Sequence, residues 1–206
     1  MARRFDAKEL VLATHNEGKI REFAAMFAPF GVTIKSALEL GLPEPEETGS
    51  TFEANAILKA RAAMTATGLP ALADDSGLAV TGLDGAPGIY SARWAGPGRD
   101  FDLAIGRVLK ELAGRYGSFA AAEKGAAFVA VLALAWPDGQ TATFRGEVEG
   151  RLVEAPRGQG GFGYDPIFVP LGHTSTFGEM PAAEKHKISH RRRAIDTMVQ
   201  ALFADS

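Results

Sequence analysis

Two adjacent aspartates, Asp74 and Asp75, lie inside the segment LADDSGLAV, which runs from Leu72 to Val80. Charged side chains are rarely buried unless they are paired or bound to a cation. Neighbouring residues of a strand point to opposite faces, so we expect the strand to end at this pair. Ligands of α/β sheets bind beyond the carboxyl ends of strands. The pair therefore predicts a site where one carboxylate holds a metal ion and the other holds a partner or activates water. An exposed Asx turn is the alternative.

A candidate phosphate site precedes the aspartates, in the segment THNEGK from Thr14 to Lys19. The segment joins an apolar strand to a helix, and the N–H groups of a helix N-terminus attract anions. Lys19 can reach a phosphate as a point charge. The spacing is not that of a P-loop. The alternative interpretation is a capped helix start with a solvated lysine.

Two glutamates, Glu46 and Glu47, precede an alanine-rich helix that carries Lys59 among apolar residues. One of these carboxylates could join the aspartates in binding Mg²⁺, which favours one or two protein carboxylates together with substrate phosphates. Lys59 could point to the same phosphates or extend its ammonium group to solvent. The alternative is that the glutamates serve only the helix dipole and solubility.

The C-terminal third contains RGQGGFGYDPIF and AEKHKISHRRR, which combine glycines, aromatic residues and basic residues. Glycines permit close backbone approach to a ligand, and Phe162 and Tyr164 could offer flat faces to a base. Asp165 precedes proline and is held extended. Donors for phosphate or base carbonyls follow at Lys185, Lys187, His190 and Arg191. The alternative is a solvated helix start.

Hydrophobic periodicity predicts an α/β fold with a mixed sheet flanked by helices. Strands are predicted over residues 9–14, 32–35, 71–74, 126–135, 141–149 and 167–169. Helices are predicted over residues 17–30, 51–67 and 100–113, with a closing helix after Ser189. A Gly- and Pro-rich loop is predicted over residues 81–98.

Composition narrows the functional classes. The 206 residues carry a net charge of −3, so the protein has no overall positive field that would attract nucleic acid. There is no cysteine for a disulfide, a zinc–thiolate site or a thiol nucleophile. The N-terminus has no long apolar stretch, and the later apolar run of residues 126–136 is too short to span a bilayer. We expect a soluble cytoplasmic protein with one domain over residues 1–206 and no membrane or nucleic-acid partner.

Five segments occur in an order that resembles the Ham1/RdgB-type inosine/xanthosine triphosphate pyrophosphatases, the ITPase family. They are ATHNEGKIREF, EETGSTFEANAILKARAA, ALADDSGLAVTGLDGAPGIYSARWAG, GGFGYDPIF and EKHKISHRRRA. The resemblance spans about Leu10 to Leu202. It implies two lobes with an active-site cleft between them, and a Mg²⁺-dependent homodimer. The implied reaction hydrolyses noncanonical purine nucleoside triphosphates (ITP, dITP, XTP) to the monophosphate and pyrophosphate, removing them from the nucleotide pool.

The resemblance also implies residue roles. Asp75 is expected to be the general base and a metal ligand, with Glu46 as the other ligand and Glu47 as the adjacent alternative. Asp74, Lys19 and Lys59 complete the expected catalytic set. Residues expected to bind substrate are Thr14, His15, Asn16, Glu17, Gly18, Lys19, Ser76, Phe162, Gly163, Tyr164, Asp165, Lys185, His190 and Arg191. His15 departs from the glycine or serine that the family often has at this position.

Other functional classes stay open at this point. A Maf-type nucleotide pyrophosphatase would share the fold but prefer other bases, and the FGYDP and SHR segments favour the ITPase family. A haloacid dehalogenase-type phosphatase requires aspartates one residue apart, and here they are adjacent. A nucleotide-binding module without turnover would keep the pocket and lack the chemistry. The sequence leaves open the choice among ITP, dITP and XTP.

Overall fold

The fold is built on a mixed sheet that appears in a computed structural model describing residues 3–203, without the side chains at positions 17, 18, 22, 25 and 26. Its strands are β1 (Glu9–Leu12), β2 (Thr33–Ser36), β3 (Ala71–Val80), β4 (Gly125–Ala135), β5 (Thr141–Leu152) and β6 (Phe168–Pro170). Their order in the sheet is β2-β1-β3-β4-β5-β6. β1 pairs in parallel with β2 and β3, and β5 pairs antiparallel with β6. The predicted α/β class with a mixed sheet is confirmed.

Helices occupy most of the predicted positions. They are α1 (Glu17–Phe27), α2 (Phe52–Thr67), α3 (Ser91–Trp94), α4 (Phe101–Tyr116), α5 (Ala182–Ile188) and α6 (His190–Phe203). The side chain of Thr51 caps α2 by accepting from Ala54 N–H at 3.1 Å, and Gly68 ends the helix in the left-handed conformation at φ 68°. None of the helices within residues 3–203 is long and apolar enough to cross a membrane.

The first of two compact units comprises Met1–Asp75, Val131–Arg145 and Ala194–Ser206. Its sheet residues Val11 and Ala71 are buried against Ala63 of α2. At the end of α6, the ring of Phe203 stacks on Phe30 at a centroid distance of 4.1 Å. Burial of these apolar residues supplies the main stabilising free energy of this unit.

The second unit comprises Ser76–Ala130 and Gly146–Arg193. Its core combines Leu78 of β3, the apolar face of α4 around Val108 and Leu112, and an aromatic cluster. In that cluster Phe128 lies 4.7 Å from Phe168 and 5.9 Å from Phe177, measured between ring centroids. Such aromatic contacts stabilise a core beyond the apolar area that they bury. The single catalytic domain expected over residues 1–206 stays a prediction.

The sequence prediction that a strand ends at the two aspartates is wrong, because β3 continues to Val80. Gly77 has no side chain, and a Cβ there would collide with the Gly88 carbonyl. The strand can therefore lie close to the loop of residues 84–90. Leu78 N–H then donates to Ser91 Oγ at 2.9 Å, which gives the backbone beyond the aspartates a partner.

Two shorter corrections concern helices. The predicted loop of residues 81–98 contains the short helix α3 as well as two 3₁₀ turns, Thr81–Leu83 and Gly88–Tyr90. The basic run forms two helices rather than one helix start, because Ser189 is extended at φ −66° and ψ 153° between them. Lys185 and Lys187 therefore lie on α5, and Arg191 lies in the first turn of α6.

Candidate active site

The turn before α1 is organised by its own polar side chains. Asn16 is the N-cap, and its Oδ1 accepts from Lys19 N–H at 3.1 Å, while Asn16 N–H donates to Thr14 Oγ1 at 3.2 Å. These bonds satisfy the backbone groups of the turn and present the helix N-terminus. The expected substrate contacts of Glu17 and Gly18 fall at positions whose surroundings lie outside what the structure describes.

His15 connects this turn to a second loop of the same unit. Its Nε2 lies 2.8 Å from the Leu42 carbonyl oxygen. A carbonyl only accepts, so this nitrogen carries the proton and donates. That nitrogen is therefore engaged within the protein, and the expected contact of His15 with phosphate stays a prediction.

The two adjacent aspartates bind two different lysines. Asp74 forms an ion pair with Lys19. Asp75 Oδ1 lies 3.1 Å from Lys59 Nζ. Neighbouring strand residues face opposite sides, which explains how one strand brings a carboxylate to each lysine. Both aspartates are buried, so each charge gains from its partner in a medium of reduced dielectric.

Glu47 rather than Glu46 completes this cluster. Glu47 Oε1 lies 2.6 Å from Lys59 Nζ, so this lysine joins Glu47 to Asp75, and Glu46 is exposed. The other oxygen of Asp75, Oδ2, is buried and accepts no hydrogen bond from the part of the chain that the structure describes. A carboxylate oxygen without a donor, beside a second carboxylate, is a chemically suitable ligand for a divalent cation. The geometry favours Glu47 as the second metal ligand, and the Glu46 assignment stays a prediction.

Electrostatics differ between the two ends of the buried ion pair. Burial raises the pKa of Asp75 from 3.8 to about 6, against the attraction of Lys59 and with a further contribution from Glu47. For Lys59, burial acts to lower the pKa, but Asp75 and Glu47 outweigh it and the pKa is raised. Burial and the neighbouring carboxylates thus favour the protonated form of both groups, the ammonium of Lys59 and the carboxyl of Asp75. Asp75 has a proton affinity suited to a base near neutral pH.

A second cluster lies in the second unit, around the loop GGFG. Asp165 is buried, its Oδ2 accepts from Phe162 N–H at 2.7 Å, and it forms an ion pair with Lys185. Gly161 has φ 72°, and a Cβ there would collide with the Asp165 carboxylate. Burial raises the pKa of Asp165, whereas Lys185 and the Phe162 N–H act to lower it. This aspartate therefore fixes both the loop and the lysine.

The two aromatic residues of this loop have different environments. Phe162 is 62% exposed, and Lys185 Nζ lies 4.5 Å from its ring centroid. Tyr164 is 2% exposed, donates from its hydroxyl to the Ser91 carbonyl at 2.9 Å, and packs edge-to-face on Phe101. Burial raises the pKa of Tyr164. The prediction that Tyr164 offers a flat face to a base is wrong, because its ring anchors the loop in the core.

The remaining expected residues of the second unit lie near the start of α6. Arg191 Nη2 lies 3.5 Å from Ser76 Oγ, at the outer limit of a hydrogen bond. His190 is buried, and its ring stacks on Phe128 at 5.0 Å with an interplanar angle of 12°. The structure thus joins Ser76 to Arg191, and it holds the His190 ring in one orientation.

Sequence reasoning missed two polar residues that organise these clusters. Ser91 Oγ accepts from Leu78 N–H and donates to the Gly88 carbonyl at 2.7 Å. Asn55 Oδ1 accepts from Gly49 N–H at 2.8 Å, in the loop that carries Glu47. A serine at the first position of a short helix gives no recognisable signal. For Asn55, the available signal was a polar amide among the alanines of the helix, four residues before Lys59.

The fold and these clusters define an α/β protein that presents buried lysine–carboxylate pairs and a glycine-rich loop with an exposed aromatic residue. A family model described as the Ham1 family matches residues 10–201. This chain belongs to the Ham1 family.

Relatives and solved structures agree with this assignment over nearly the full length. Proteins called dITP/XTP pyrophosphatase are 53% identical in Mesorhizobium japonicum, covering 95% of this chain and 94% of the relative, and 55% identical in Rhodospirillum centenum, covering 98% of both. A HAM1 protein structure from Coxiella burnetii has a TM-score of 0.87 at 40% identity, covering 93% of this chain and 96% of that one. A nucleoside-triphosphatase (dITP/XTP pyrophosphatase) structure from Mycobacterium abscessus has a TM-score of 0.76 at 39% identity, covering 93% and 98%.

Proposed function

We propose that this protein hydrolyses noncanonical purine nucleoside triphosphates, of the dITP, ITP and XTP class, to the monophosphate and pyrophosphate. The observation that carries the proposal is the Asp75 carboxylate, with one oxygen on Lys59 and the other, Oδ2, buried and without a hydrogen-bond donor among the described residues. The names of two relatives, each more than 50% identical over nearly its full length, support the same reaction.

Asp75 is proposed as the general base. Its carboxylate can accept the proton of a water molecule as the water oxygen bonds to the α-phosphorus. The bond from that phosphorus to the oxygen that bridges the α- and β-phosphates then breaks, and pyrophosphate leaves. In the metal-free protein, burial raises the pKa of Asp75 to about 6, so this carboxylate is mostly ionised at neutral pH and more basic than an ordinary aspartate.

The residues of the first cluster fit a magnesium ion. Among residues 3–203 no group of three or more His, Asp or Glu side chains could hold a metal ion. Asp75 and Glu47 would supply two carboxylates, and substrate phosphates would supply further oxygens, which is the arrangement that Mg²⁺ favours. Bound there, the ion would neutralise charge on the phosphate oxygens.

Lys19 and Lys59 are proposed to act on the same phosphates. Lys19 lies at the N-terminus of α1, where the helix dipole also attracts an anion. Positive groups held in position before the reaction stabilise the charge that develops on the transferred phosphoryl group and on the leaving pyrophosphate. Asp74 is proposed to hold the Lys19 ammonium group in place.

The second cluster is proposed to read the purine base. Phe162 offers an exposed ring face for stacking, and the Lys185 ammonium group lies beside it. Hypoxanthine and xanthine carry a 6-oxo acceptor, which rewards donors such as those of Lys185, His190 and Arg191. Adenine would leave such donors unpaired, and sites that bury hydrogen-bonding groups reject analogues of this kind strongly.

The resemblance to the family leads to three finer proposals. The metal is proposed to be Mg²⁺, the protein a homodimer, and its location the cytoplasm. The magnesium proposal also draws on the two carboxylates of Glu47 and Asp75, which are hard oxygen ligands.

The reaction is tested by incubating the purified protein with ITP, dITP, XTP, GTP and ATP, with Mg²⁺ and with a chelator. We expect pyrophosphate from ITP, dITP and XTP, at a kcat/KM at least about 100-fold above that for ATP. Chelation should stop the release. Orthophosphate in place of pyrophosphate would identify a phosphatase and refute the proposal, and binding of ITP without any product would indicate a binding module.

The choice between the two adjacent glutamates is tested by a matched pair of variants. Glu47→Gln is expected to raise the Mg²⁺ concentration for half-maximal kcat/KM by about 10- to 100-fold, because it removes one of two carboxylates while keeping the shape. Glu46→Gln changes an exposed side chain and should leave that concentration within about twofold of the wild type. The reverse pattern would assign the metal to Glu46.

A further inference from the structure

We infer that Asn55 is a positioning residue that fixes the loop carrying Glu47, and that it acts on metal binding only through that loop. The inference rests on the proposed function to the extent that Glu47 is a metal ligand. Asn55 lies on α2 and does not itself contact Asp75 in the described hydrogen bonds. Its role would be to hold residues 44–50 against the helix so that the Glu47 carboxylate meets Lys59.

The contacts attach this loop to α2 at two points. Asn55 is fully buried, and its Oδ1 accepts from Gly49 N–H at 2.8 Å. Two residues before Gly49, the Glu47 carboxylate meets Lys59 Nζ at 2.6 Å. Asn55 and Lys59 are four residues apart and therefore lie on the same helix face. The same face thus holds both the backbone of the loop and its carboxylate.

Gly49 packs so closely against Asn55 that a side chain at position 49 would have no room. A Cβ at position 49 would lie 2.6 Å from Asn55 Oδ1 and 2.9 Å from the Asn55 backbone nitrogen, distances that real Cβ atoms do not show. Any larger residue at position 49 would push the loop away from α2. Asn55 and Gly49 therefore offer two independent ways to break one contact.

The amide nitrogen of Asn55 indicates that this side chain does more than fill space. Its Nδ2 is buried and has no hydrogen-bond partner within the described ranges of the chain. A buried donor without a partner is destabilising, and an apolar residue of similar size would avoid this penalty. The amide therefore makes its favourable contact through its oxygen, which accepts from Gly49 N–H in the loop of Glu47. Outer residues that orient a metal ligand change metal affinity by about 10- to 100-fold when they are replaced.

The test uses the full-length protein and six variants, of which four probe the contact: Asn55→Ala, Gly49→Ala, Glu47→Gln, and Asn55→Ala combined with Glu47→Gln. The first measurement is the Mg²⁺ concentration for half-maximal kcat/KM with ITP. The second is amide hydrogen exchange of residues 44–50 in the metal-free protein, without nucleotide. Asn55→Asp, which keeps the accepting oxygen, serves as the conservative variant. Gly106→Ala, at an exposed position of α4 with open space around it, is the control for adding a methyl group.

We expect Asn55→Ala and Gly49→Ala each to raise the half-maximal Mg²⁺ concentration by about 10-fold and to speed exchange of residues 44–50. Asn55→Asp should restore most of the exchange protection, and Gly106→Ala should change neither measurement. In the Glu47→Gln background, Asn55→Ala should have no further effect on the Mg²⁺ requirement. Gly49→Ala leaves the sequence of α2 unchanged, so it decides the outcome even if Asn55→Ala does not fold.

Two results would overturn the inference. One is that Asn55→Ala and Gly49→Ala both leave the hydrogen exchange of residues 44–50 and the Mg²⁺ requirement unchanged. The other is an effect of Asn55→Ala that persists in full when Glu47 is already Gln, because Asn55 would then act by another route. If the wild type releases no pyrophosphate at all, the proposed function fails by itself, and unchanged exchange in the two variants would still overturn the positioning role.

Discussion

Replacing Asp75 with Asn is expected to abolish most turnover while making the protein more stable. Asn keeps the size of the side chain but cannot accept a proton from water, and general bases contribute about 10²- to 10⁴-fold to rate. We expect kcat for ITP to fall by about 10³-fold or more, because the same change also weakens a proposed metal ligand. Steady-state pyrophosphate release at saturating nucleotide and Mg²⁺ measures this loss.

The gain in stability follows from the direction of the pKa shift. The folded-state pKa of Asp75 is about 6 and its ordinary value is 3.8, so the folded protein binds this proton more tightly than the unfolded chain does. Stability from this group is therefore present at low pH and is lost as pH rises from about 4 to about 6. Above that range the ionised carboxylate is destabilising. Asn removes the charge and should raise the free energy of unfolding at pH 7 by about 1–3 kcal/mol.

Chemical denaturation of the metal-free variant and wild type, at pH 4 and at pH 7, measures this effect. The stability difference should be small at pH 4 and full at pH 7. Asp102→Asn, an exposed change in the first turn of α4, is the matched control and should not stabilise the protein at either pH. A variant that turns over normally would remove Asp75 from the role of base, and a variant that is less stable at pH 7 would show that Lys59 outweighs burial.

Much of the fold could be predicted because its signals are local. Thr51 and Gly68 cap the two ends of α2, and a threonine before a helix and a glycine after it are signals that can be read from the sequence alone. The extension of β3 could not be predicted, because it depends on Ser91, which lies far along the chain and supplies a partner to Leu78 N–H. Strand ends depend on such distant partners, whereas helix ends depend mainly on residues within one turn.

The site divides in the same way. The types of residue and the segments could be predicted from the sequence, but the partner of each charge could not. Glu46 and Glu47 are chemically identical neighbours, and only the path of the loop from Asn55 brings Glu47 to Lys59. Tyr164 looks like a stacking surface in the sequence, yet its hydroxyl finds a carbonyl in the core. Side-chain direction is a property of the folded backbone, and a motif does not specify it.

The positions of Lys19 and Lys59 explain how the first cluster keeps its carboxylates close together. Asp74, Asp75 and Glu47 carry like charges, and such groups repel strongly when they are poorly solvated. Each lysine offsets part of this repulsion in the metal-free protein. The cluster can therefore fold before any cation or phosphate is bound, and its stability should depend on Lys59 in particular, since this lysine bridges two carboxylates.

Lys59→Met is accordingly expected to be both inactive and unstable, in contrast to the Asp75 variant. Methionine fills a similar volume but leaves Asp75 and Glu47 without their shared cation. Removing one partner of a buried ion pair costs about 3–5 kcal/mol when it leaves a buried charge uncompensated, and we expect a loss of about 3 kcal/mol in the free energy of unfolding at pH 7. Asp75→Asn differs because it leaves Lys59 paired with Glu47. Turnover should fall by about 10²- to 10³-fold with the loss of a positioned charge. Lys110→Met, at an exposed position of α4, should change stability by no more than about 0.5 kcal/mol.

The cause of the expected loss of stability in Lys59→Met is tested by changing the pH and by adding a second substitution. Without Lys59 the folded-state pKa of Asp75 should lie above 6, so stability that is lost at pH 7 should return as pH falls towards 5 and the carboxylate takes up a proton. For the same reason, Asp75→Asn should stabilise the Lys59→Met protein by more than it stabilises the wild type. Denaturation of the wild type, the two single variants and the double variant at pH 5 and pH 7 gives the coupling free energy between Lys59 and Asp75. Equal increments in the two backgrounds, or a loss that does not vary with pH, would mean that Lys59 stabilises the protein by packing and not by holding the carboxylates.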